Sequence, residues 1–293
     1  MGSRCRIVAP SRQLAATGEA LVHSLERRWS RFSATSEISK LNLHSGRVVL
    51  LSAETYSLVE RAEEARTATR GAFNPLALDH LVTLGYDRSW ELMLHDSATE
   101  LPASAPPVSD EPIELFPSVH AVRIPRGARF DPGGIGKGLA GDMVAEHLIR
   151  HGAHTAQIEL GGDVRLVGAP WQGDEWEVSI EHPERSNAHI GSLTLPAGGV
   201  ATSSVVRRSW RRGHRTLHHL IDPNTGTSAV TDLLAVSAVA PELWWAEVVA
   251  KVALMAGSGQ AADVMRNFGV SGALVGPGDL NWTAVVVAEG KAA

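Results

Sequence analysis

The sequence lacks several features that would set it apart from ordinary globular proteins. It has one cysteine, Cys5, so no disulfide can form within the chain, and no apolar run approaches the length of a membrane span. The formal net charge is only -5, which argues against a nucleic-acid-binding surface. The N-terminus has no extended hydrophobic signal region. We therefore expect a cytoplasmic protein with no membrane span and no nucleic-acid partner.

The chain has 293 residues, of which 44% are hydrophobic and 20% charged. This length and composition are sufficient for a sizeable hydrophobic core. Apolar residues at helical spacing over residues 14–32 predict a first helix, with the arginines that it contains, Arg31 among them, on its solvent face. Ser52 is a good N-cap for a second helix. After Gly152 the pattern favours strands, with two late helices near 241–255 and 260–267. We predict a mixed α/β (α+β) fold with helices in the N-terminal half and a largely antiparallel sheet in the C-terminal half.

A glycine-rich stretch at residues 131–142 is the strongest candidate for a ligand site. Five glycines and Lys137 lie between Asp131 and Asp142, directly before a helical pattern. Glycine lets backbone amides approach a ligand closely, a helix N-terminus attracts anions, and lysine adds a full positive charge. The stretch therefore predicts a pocket for a phosphate-bearing ligand.

Three other interpretations of this stretch compete with that prediction. Residues 136–141 match G-x-G-x-x-G, and Glu159 follows at about the distance of the ribose-binding acid in a dinucleotide fold. However, Pro125 and Gly127 interrupt the preceding segment and no βαβ alternation precedes it, while Gly138 stands where a P-loop needs serine or threonine. A glycine turn that only caps a helix would explain the glycines alone. The lysine and the two flanking aspartates favour a ligand loop.

A histidine and a run of hydroxyls are the candidates further along the chain. His218 and His219 lie in a predicted strand, so only one of them can face a pocket, and an aspartate turn at 222–226 follows directly. A histidine alone is more often packed or on the surface, but a base needs an orienting partner, and the turn makes His219 a candidate base. Residues 202–204, followed by two arginines, could bind a phosphate or could equally be a strand end with solvated arginines.

Seven short motifs occur in the order typical of one protein family. They lie at residues 1–3, 36–42, 71–75, 131–142, 161–163, 201–203 and 219–226. On these motifs, which extend over nearly the whole chain, the sequence resembles the ApbE family, the FAD:protein FMN transferases (flavin transferases). Each motif alone is weak, but seven in the same order make coincidence improbable.

The resemblance implies a single ApbE-like domain over residues 1–293 that takes FAD as donor and splits its pyrophosphate with Mg²⁺. The FMN half would be joined through a phosphoester to a threonine or serine hydroxyl of a target protein, and AMP would be released. It gives His219 the role of base toward the acceptor hydroxyl and places Lys137 on the phosphates. Gly134, through its backbone carbonyl, and Glu247 would hold the metal. The remaining implied flavin contacts are Met1, Phe32, Ala72, Phe73, Asn74, Asp131 and Ile221.

The sequence departs from the family pattern at the implied metal site. The late family motif has an aspartate and, four residues on, a threonine or similar oxygen ligand, whereas this chain has Glu247 and Lys251. Glu247 can still bind magnesium, but a charged lysine cannot and would repel the cation. Lys251 either pairs with Glu247 one helical turn away or stands in the place of the metal and holds the flavin pyrophosphate. Asn74 and Ser204 replace a usual aspartate and a usual glycine.

Four functions stay open on the sequence. The first is FMN transfer from FAD to a protein hydroxyl. The second is metal-independent FAD binding without transferase activity, and the third is FAD pyrophosphatase activity, in which water takes the place of the acceptor and FMN and AMP are released. A nicotinamide-dependent dehydrogenase is a distant fourth.

Overall fold

The computed structural model of the chain describes residues 4–93, 96–98, 101, 105–185, 187–278 and 282–286. The α-helices in these ranges are α1 Arg12–Trp29, α2 Glu37–Leu43, α3 Ala53–Ala68, α4 Leu78–Thr83, α5 Gly136–Arg150, α6 Leu243–Ala256 and α7 Ser258–Asn267. The β-strands are β1 Cys5–Val8, β2 Val49–Leu50, β3 Asp96–Ser97, β4 Glu114–Phe116, β5 Ala121–Arg123, β6 Ala156–Leu160, β7 Asp163–Val167, β8 Trp176–Glu181, β9 His189–Leu195, β10 Gly198–Ser204, β11 Ser209–Arg212, β12 Arg215–His218, β13 Ile221–Asp222, β14 Thr227–Ser228, β15 Ala235–Ala240, β16 Ser271–Val275 and β17 Trp282–Val285. None of the described helices is both long and apolar enough to cross a membrane.

One large antiparallel sheet organises the fold. Its seven strands lie in the order β1-β6-β7-β10-β15-β16-β17, and every neighbouring pair is antiparallel. Helices α5 and α6 pack against this sheet, and α1 and α7 pack against those two helices. Smaller sheets are formed by β12-β11-β3, β2-β5-β4, β13-β14 and β8-β9. The predicted mixed α/β fold with a largely antiparallel sheet in the C-terminal half is confirmed.

Helix α6 is the central helix of the packing, because it is apolar on nearly every side. Its residues from Leu243 to Leu254 are buried with one exception, and such a helix is stable only inside a protein. Glu247 and Lys251 are the two ionisable residues in it, and they are only 4% and 8% exposed. Four residues apart, they lie on the same helix face. Two buried ionisable groups on an otherwise apolar helix need polar partners from outside that helix.

Helices α5 and α6 hold each other's N-terminus. The amide of Gly138, in the first turn of α5, donates to Oε2 of Glu247 at 2.7 Å. Asp142 of α5 in turn accepts from the amides of Leu243 at 3.0 Å and Trp244 at 2.9 Å, at the start of α6. Each carboxylate thus satisfies unpaired helix N–H groups and interacts with the positive end of a helix dipole.

Glycines in the first turns of α5 permit this close contact. A Cβ on Gly138 would lie 2.5 Å from the Cα of Trp244, and a Cβ on Gly141 would lie 2.7 Å from Cδ2 of Leu243. The G-x-G-x-x-G spacing therefore serves helix packing, and the strand before it, β5, belongs to a small antiparallel sheet. This arrangement contradicts the dinucleotide-binding interpretation. Asp142, which favoured a ligand loop, is a helix cap.

Two local predictions were wrong for identifiable reasons. The first helix ends at Trp29, and Ser30 adopts an extended conformation with φ of -64° and ψ of 114°, so Arg31 turns inward and its side chain is only 7% exposed. The strand predicted through His219 ends at His218, whose amide and carbonyl both bond the Ser228 hydroxyl, at 3.0 and 2.7 Å. His219 therefore lies in the connection between β12 and β13.

Candidate functional site

A cleft of about 310 Å³ collects residues that are far apart in the sequence. Its volume lies at the small end of the range typical of ligand pockets. Ala72 and Phe73 are not among the lining residues, and Met1 lies outside the described residues. The flavin contacts predicted for these three residues stay predictions. The other predicted site residues all line the cleft: Phe32, Asn74, Asp131, Gly134, Lys137, His219, Ile221 and Glu247.

The loop before α5 forms one wall of the cleft. Asp131 is anchored by its amide, which donates to the carbonyl of Pro75 at 2.7 Å. A Cβ on Gly133 would lie 2.6 Å from the Asp131 carboxylate, and Gly134 has a φ of +90°, which favours glycine. A Cβ on Gly134 would lie 2.9 Å from Cδ and 3.3 Å from Nζ of Lys251. The bare backbone of this loop is what allows the Lys251 side chain to lie against it.

Lys137 is surrounded by acceptors from the protein itself. Its ammonium forms ion pairs with Asp163 and, at 2.9 Å, with Oε1 of Glu247. Oδ1 of Asp163 also accepts from the amide of Thr202 at 3.0 Å. Burial alone would lower the pKa of Lys137, but the two carboxylates outweigh it and raise this pKa. Lys137 is therefore charged, and two buried carboxylates lie in contact with its ammonium. Its predicted contact with phosphates stays a prediction.

Lys251 lies in a different environment from that of Lys137. Its ammonium lies 5.0 Å from the ring centroid of Phe73, within the range of a cation–π interaction. No ion pair among the described residues includes Lys251, so the pairing with Glu247 considered from the sequence does not form. Burial lowers the pKa of Lys251, and the more distant Asp131 and Glu247 oppose this shift.

The donor set around Gly134 and Glu247 does not fit a divalent cation. Both carboxylate oxygens of Glu247 already accept from protein donors, Gly138 and Lys137. The Lys251 side chain occupies the space over Gly134, and its charge would repel a divalent cation. Across the described ranges, no three histidine, cysteine, aspartate or glutamate side chains are grouped closely enough to hold a metal. The predicted metal roles of Gly134 and Glu247 therefore have no support in this arrangement.

His219 lines the cleft as a neutral imidazole. Its Nδ1 is buried and has no hydrogen-bond partner within the part of the chain that the structure describes. Burial, followed by the positive charges of Arg208 and Lys251, lowers the pKa of His219 well below its ordinary value. The expected orienting aspartate, Asp222, instead accepts from the amide of Asn224 at 2.9 Å within its own turn. His219 can therefore accept a proton, and Asp222 does not orient it.

Arg31 and Tyr86 are cleft residues that sequence reasoning missed. Nε of Arg31 lies 3.2 Å from Oδ1 of Asp131, and Nη1 donates to the carbonyl of Tyr86 at 3.0 Å. The guanidinium lies 4.3 Å from the ring centroid of Phe32 and 4.5 Å from that of Tyr86. The available signal was the adjacency of Arg31 to Phe32. The pair with Arg31 fixes the Asp131 carboxylate at the edge of an aromatic wall.

The two smaller departures from the family pattern are structural in this chain. The Asn74 side chain donates to the carbonyl of Ser109 at 2.8 Å and accepts from the amide of Leu76 at 2.9 Å. The Ser204 hydroxyl donates to the carbonyl of Leu234 at 3.0 Å. Both side chains therefore hold the backbone around the cleft.

Among the remaining hydroxyl and arginine candidates, Thr202 and Arg207 are also engaged by the protein. The Thr202 hydroxyl bonds that of Ser237 at 2.8 Å, between neighbouring strands of the large sheet. Arg207 forms an exposed ion pair with Glu181. Ser203 lines the cleft beside them. The arrangement favours the strand-end interpretation of residues 202–204 over a dedicated phosphate site.

Similarity to known proteins agrees with this geometry. The model of the ApbE family matches residues 1–274. The FAD:protein FMN transferase of Treponema pallidum is 27% identical over 294 residues, covering 92% of this chain and 80% of that protein. The Klebsiella pneumoniae protein of the same name is 28% identical over 216 residues, covering 71% of this chain and 65% of that protein, just under two thirds. The crystal structure of the ApbE protein from Thermotoga maritima has a TM-score of 0.82 at 24% identity, covering 93% of this chain and 91% of the other. The chain belongs to the ApbE family.

Proposed function

We propose that this chain is an FAD:protein FMN transferase, which cleaves FAD and attaches FMN through a phosphoester to a threonine or serine hydroxyl of a target protein, releasing AMP. The observation that carries the proposal is the meeting of the glycine loop, a neutral His219 and two lysines, Lys137 and Lys251, in one cleft of an ApbE-family chain. Relatives with this activity in their names, such as the Treponema pallidum protein, support it.

The proposed reaction assigns a task to each part of the cleft. The acceptor oxygen forms a bond to the flavin-side phosphorus of FAD, and the bond from that phosphorus to the bridging oxygen breaks, so that AMP leaves. His219 takes the proton of the acceptor hydroxyl, a role that its neutral imidazole supports. Phe32 and Ile221 flank the flavin, and Lys137 and the glycine loop contact the phosphates. We do not route the reaction through magnesium, because the donor set around Glu247 does not fit it.

We further propose that the chain acts as one domain over residues 1–293 in the cytoplasm. The family match over residues 1–274 supports the single domain. The presence of one cysteine fits a reducing compartment, which supports the location.

The test is an assay of the transfer products. The purified protein is incubated with FAD and a lysate that supplies acceptor proteins, and covalent flavin is detected by fluorescence in a denaturing gel while AMP is measured in parallel. We expect fluorescent bands and AMP with the wild type, and a loss of both with His219→Asn. Free FMN and AMP without a labelled protein would instead support the pyrophosphatase function. FAD binding without any AMP would support the carrier function.

A further inference from the structure

Lys251 is a buried cation without a counter-charge in contact with it. Its residue is 8% exposed, its ammonium faces the Phe73 ring, and among the described residues it forms no ion pair. Taking an ammonium out of water is unfavourable unless an anion or several acceptors replace the solvent. The face of an aromatic ring replaces only a part of that hydration. An anion bound in the cleft would replace the remaining part of the hydration of the ammonium.

The contacts of Lys251 indicate where in the cleft that anion would bind. The ammonium lies against Gly134, in the loop that forms the cleft wall. Any side chain at Gly134 would displace it, since a Cβ there would come within 2.9 Å of the Lys251 Cδ. The carboxylates nearest to Lys251 are committed elsewhere: Asp131 to Arg31, and Glu247 to Lys137 and Gly138.

The other cationic features of the cleft are already used by the protein. The ammonium of Lys137 forms ion pairs with both Asp163 and Glu247. The amide of Gly138, at the positive end of α5, already donates to Glu247. Of these three cationic features, only Lys251 has no protein carboxylate in contact with it among the described residues.

We propose that Lys251 is a binding residue for the diphosphate group of FAD, and that its ammonium supplies at Gly134 the positive charge that would otherwise come from a divalent cation. The identification of the anion as the diphosphate of FAD rests on the proposed function. The observation that the buried Lys251 ammonium lies unpaired at the cleft wall does not depend on the proposed function.

Binding to the metal-free protein tests this proposal without requiring transfer. After treatment with a chelator, the affinities for FAD, ADP and riboflavin are measured by calorimetry for the wild type, Lys251→Gln and Lys251→Arg. The exposed Lys40→Gln is the matched control. We expect Lys251→Gln to weaken FAD and ADP binding roughly 10- to 100-fold, the loss of one charge-assisted hydrogen bond, and to leave riboflavin binding unchanged. Lys251→Arg should retain part of the affinity.

A second measurement needs no variant and therefore does not depend on the folding of one. Inorganic pyrophosphate is titrated against FAD bound to the wild type, once in chelator and once with magnesium. We expect competition at similar concentrations in both buffers. Competition only in the presence of magnesium, or equal FAD affinity of wild type and Lys251→Gln, would overturn the proposal.

The results distinguish the binding role proposed for Lys251 from the transferase activity proposed for the protein. If FAD binds through Lys251 but no AMP or labelled protein appears, transfer fails and the binding role of Lys251 stands. If labelled protein forms while Lys251→Gln binds FAD normally, the transferase proposal stands and the role of Lys251 falls.

Discussion

Lys137, which is partly exposed, and Lys251, which is buried, are two lysines of one cleft with opposite surroundings. Lys137, on α5, contacts two carboxylates, whereas Lys251, on α6, contacts an aromatic ring and a glycine. Lys137 therefore has its counter-charges within the folded protein, and Lys251 does not. The difference teaches that a lysine in a glycine-rich motif can serve mainly the structure, while a lysine on an apolar helix is the one left free for a ligand.

Glu247 lies between the two lysines but pairs with only one of them, Lys137. It accepts from Lys137 with one oxygen and from the amide of Gly138 with the other, and it lies one helical turn from Lys251 without pairing with it. In this arrangement the carboxylate holds α5 and α6 together. If Lys137 is structural and Lys251 functional, substitutions at the two positions should have opposite effects on stability.

The largest effect is expected for Lys137→Gln. The variant would leave Asp163 and Glu247 as two buried carboxylates without a cation, since their side chains are only 2% and 5% exposed. We expect the free energy of unfolding to fall by about 3–5 kcal/mol, measured by denaturant unfolding at neutral pH. Lys40→Gln, at an exposed position, is the control. A loss no greater than that of the control would contradict the structural role of Lys137.

The next effect tests the contact between α5 and α6 on which both lysine environments depend. Gly138→Ala would place a Cβ 2.5 Å from the Trp244 backbone and force the helices apart, which we expect to cost about 2–3 kcal/mol. At Gly136 a Cβ would meet only Cβ of Pro132, at 3.4 Å, so Gly136→Ala is the matched control and should stay near the wild type. Equal unfolding midpoints for the two variants would show that the helices do not meet as described.

Lys251→Met should act in the opposite direction to Lys137→Gln. Removing an unpaired buried charge while keeping a side chain of similar length should raise the free energy of unfolding of the ligand-free protein by about 1–3 kcal/mol. Denaturant unfolding without FAD measures the change. Residues that serve a ligand site commonly lower the stability of the ligand-free protein. A loss of stability comparable to that of Lys137→Gln would mean that Lys251 is structural.

The smallest effect concerns pH and His219. Because its pKa in the folded protein is well below its ordinary value, the unfolded chain takes up a proton as the pH falls below about 6.5 while the folded chain does not. The contribution of His219 to stability is therefore complete above the unfolded pKa and is lost as the pH falls. Between pH 6.5 and 5.5 we expect His219→Gln to lose about 1 kcal/mol less than the wild type. Parallel pH profiles would show that His219 is not held neutral by the fold.

Much of the fold could be predicted from the sequence because local patterns determine it. The hydroxyl of Ser52 caps α3 as predicted, accepting from the amide of Thr55 at 3.3 Å. The strands predicted after Gly152 appear, β10 among them, and the helices predicted near 241–255 and 260–267 appear as α6 and α7. Errors arose where a tertiary contact replaced a local preference. The bond of Ser228 to His218, which ends β12, joins residues ten positions apart and has no local signature.

The cleft could be located from the sequence, but its charges could not be assigned. The family resemblance named Phe32, Asp131 and His219 as site residues, and all three line one cleft. One partner of Lys137, Asp163, however, lies 26 residues away in β7, and the partner of Asp131 lies just beyond the end of α1. Which cation is paired depends on how helices and strands pack, and spacing in one sequence does not contain that information.

The most direct test of the central claim is a magnesium titration of AMP release from FAD, run with the wild type and with Lys251→Thr. The account predicts that the wild type releases AMP in chelator and gains little from magnesium. Lys251→Thr, which removes the ammonium, should release little AMP in chelator. Strict dependence of the wild type on magnesium, with no change in that dependence on Lys251→Thr, would contradict the claim that this ammonium takes the place of the metal.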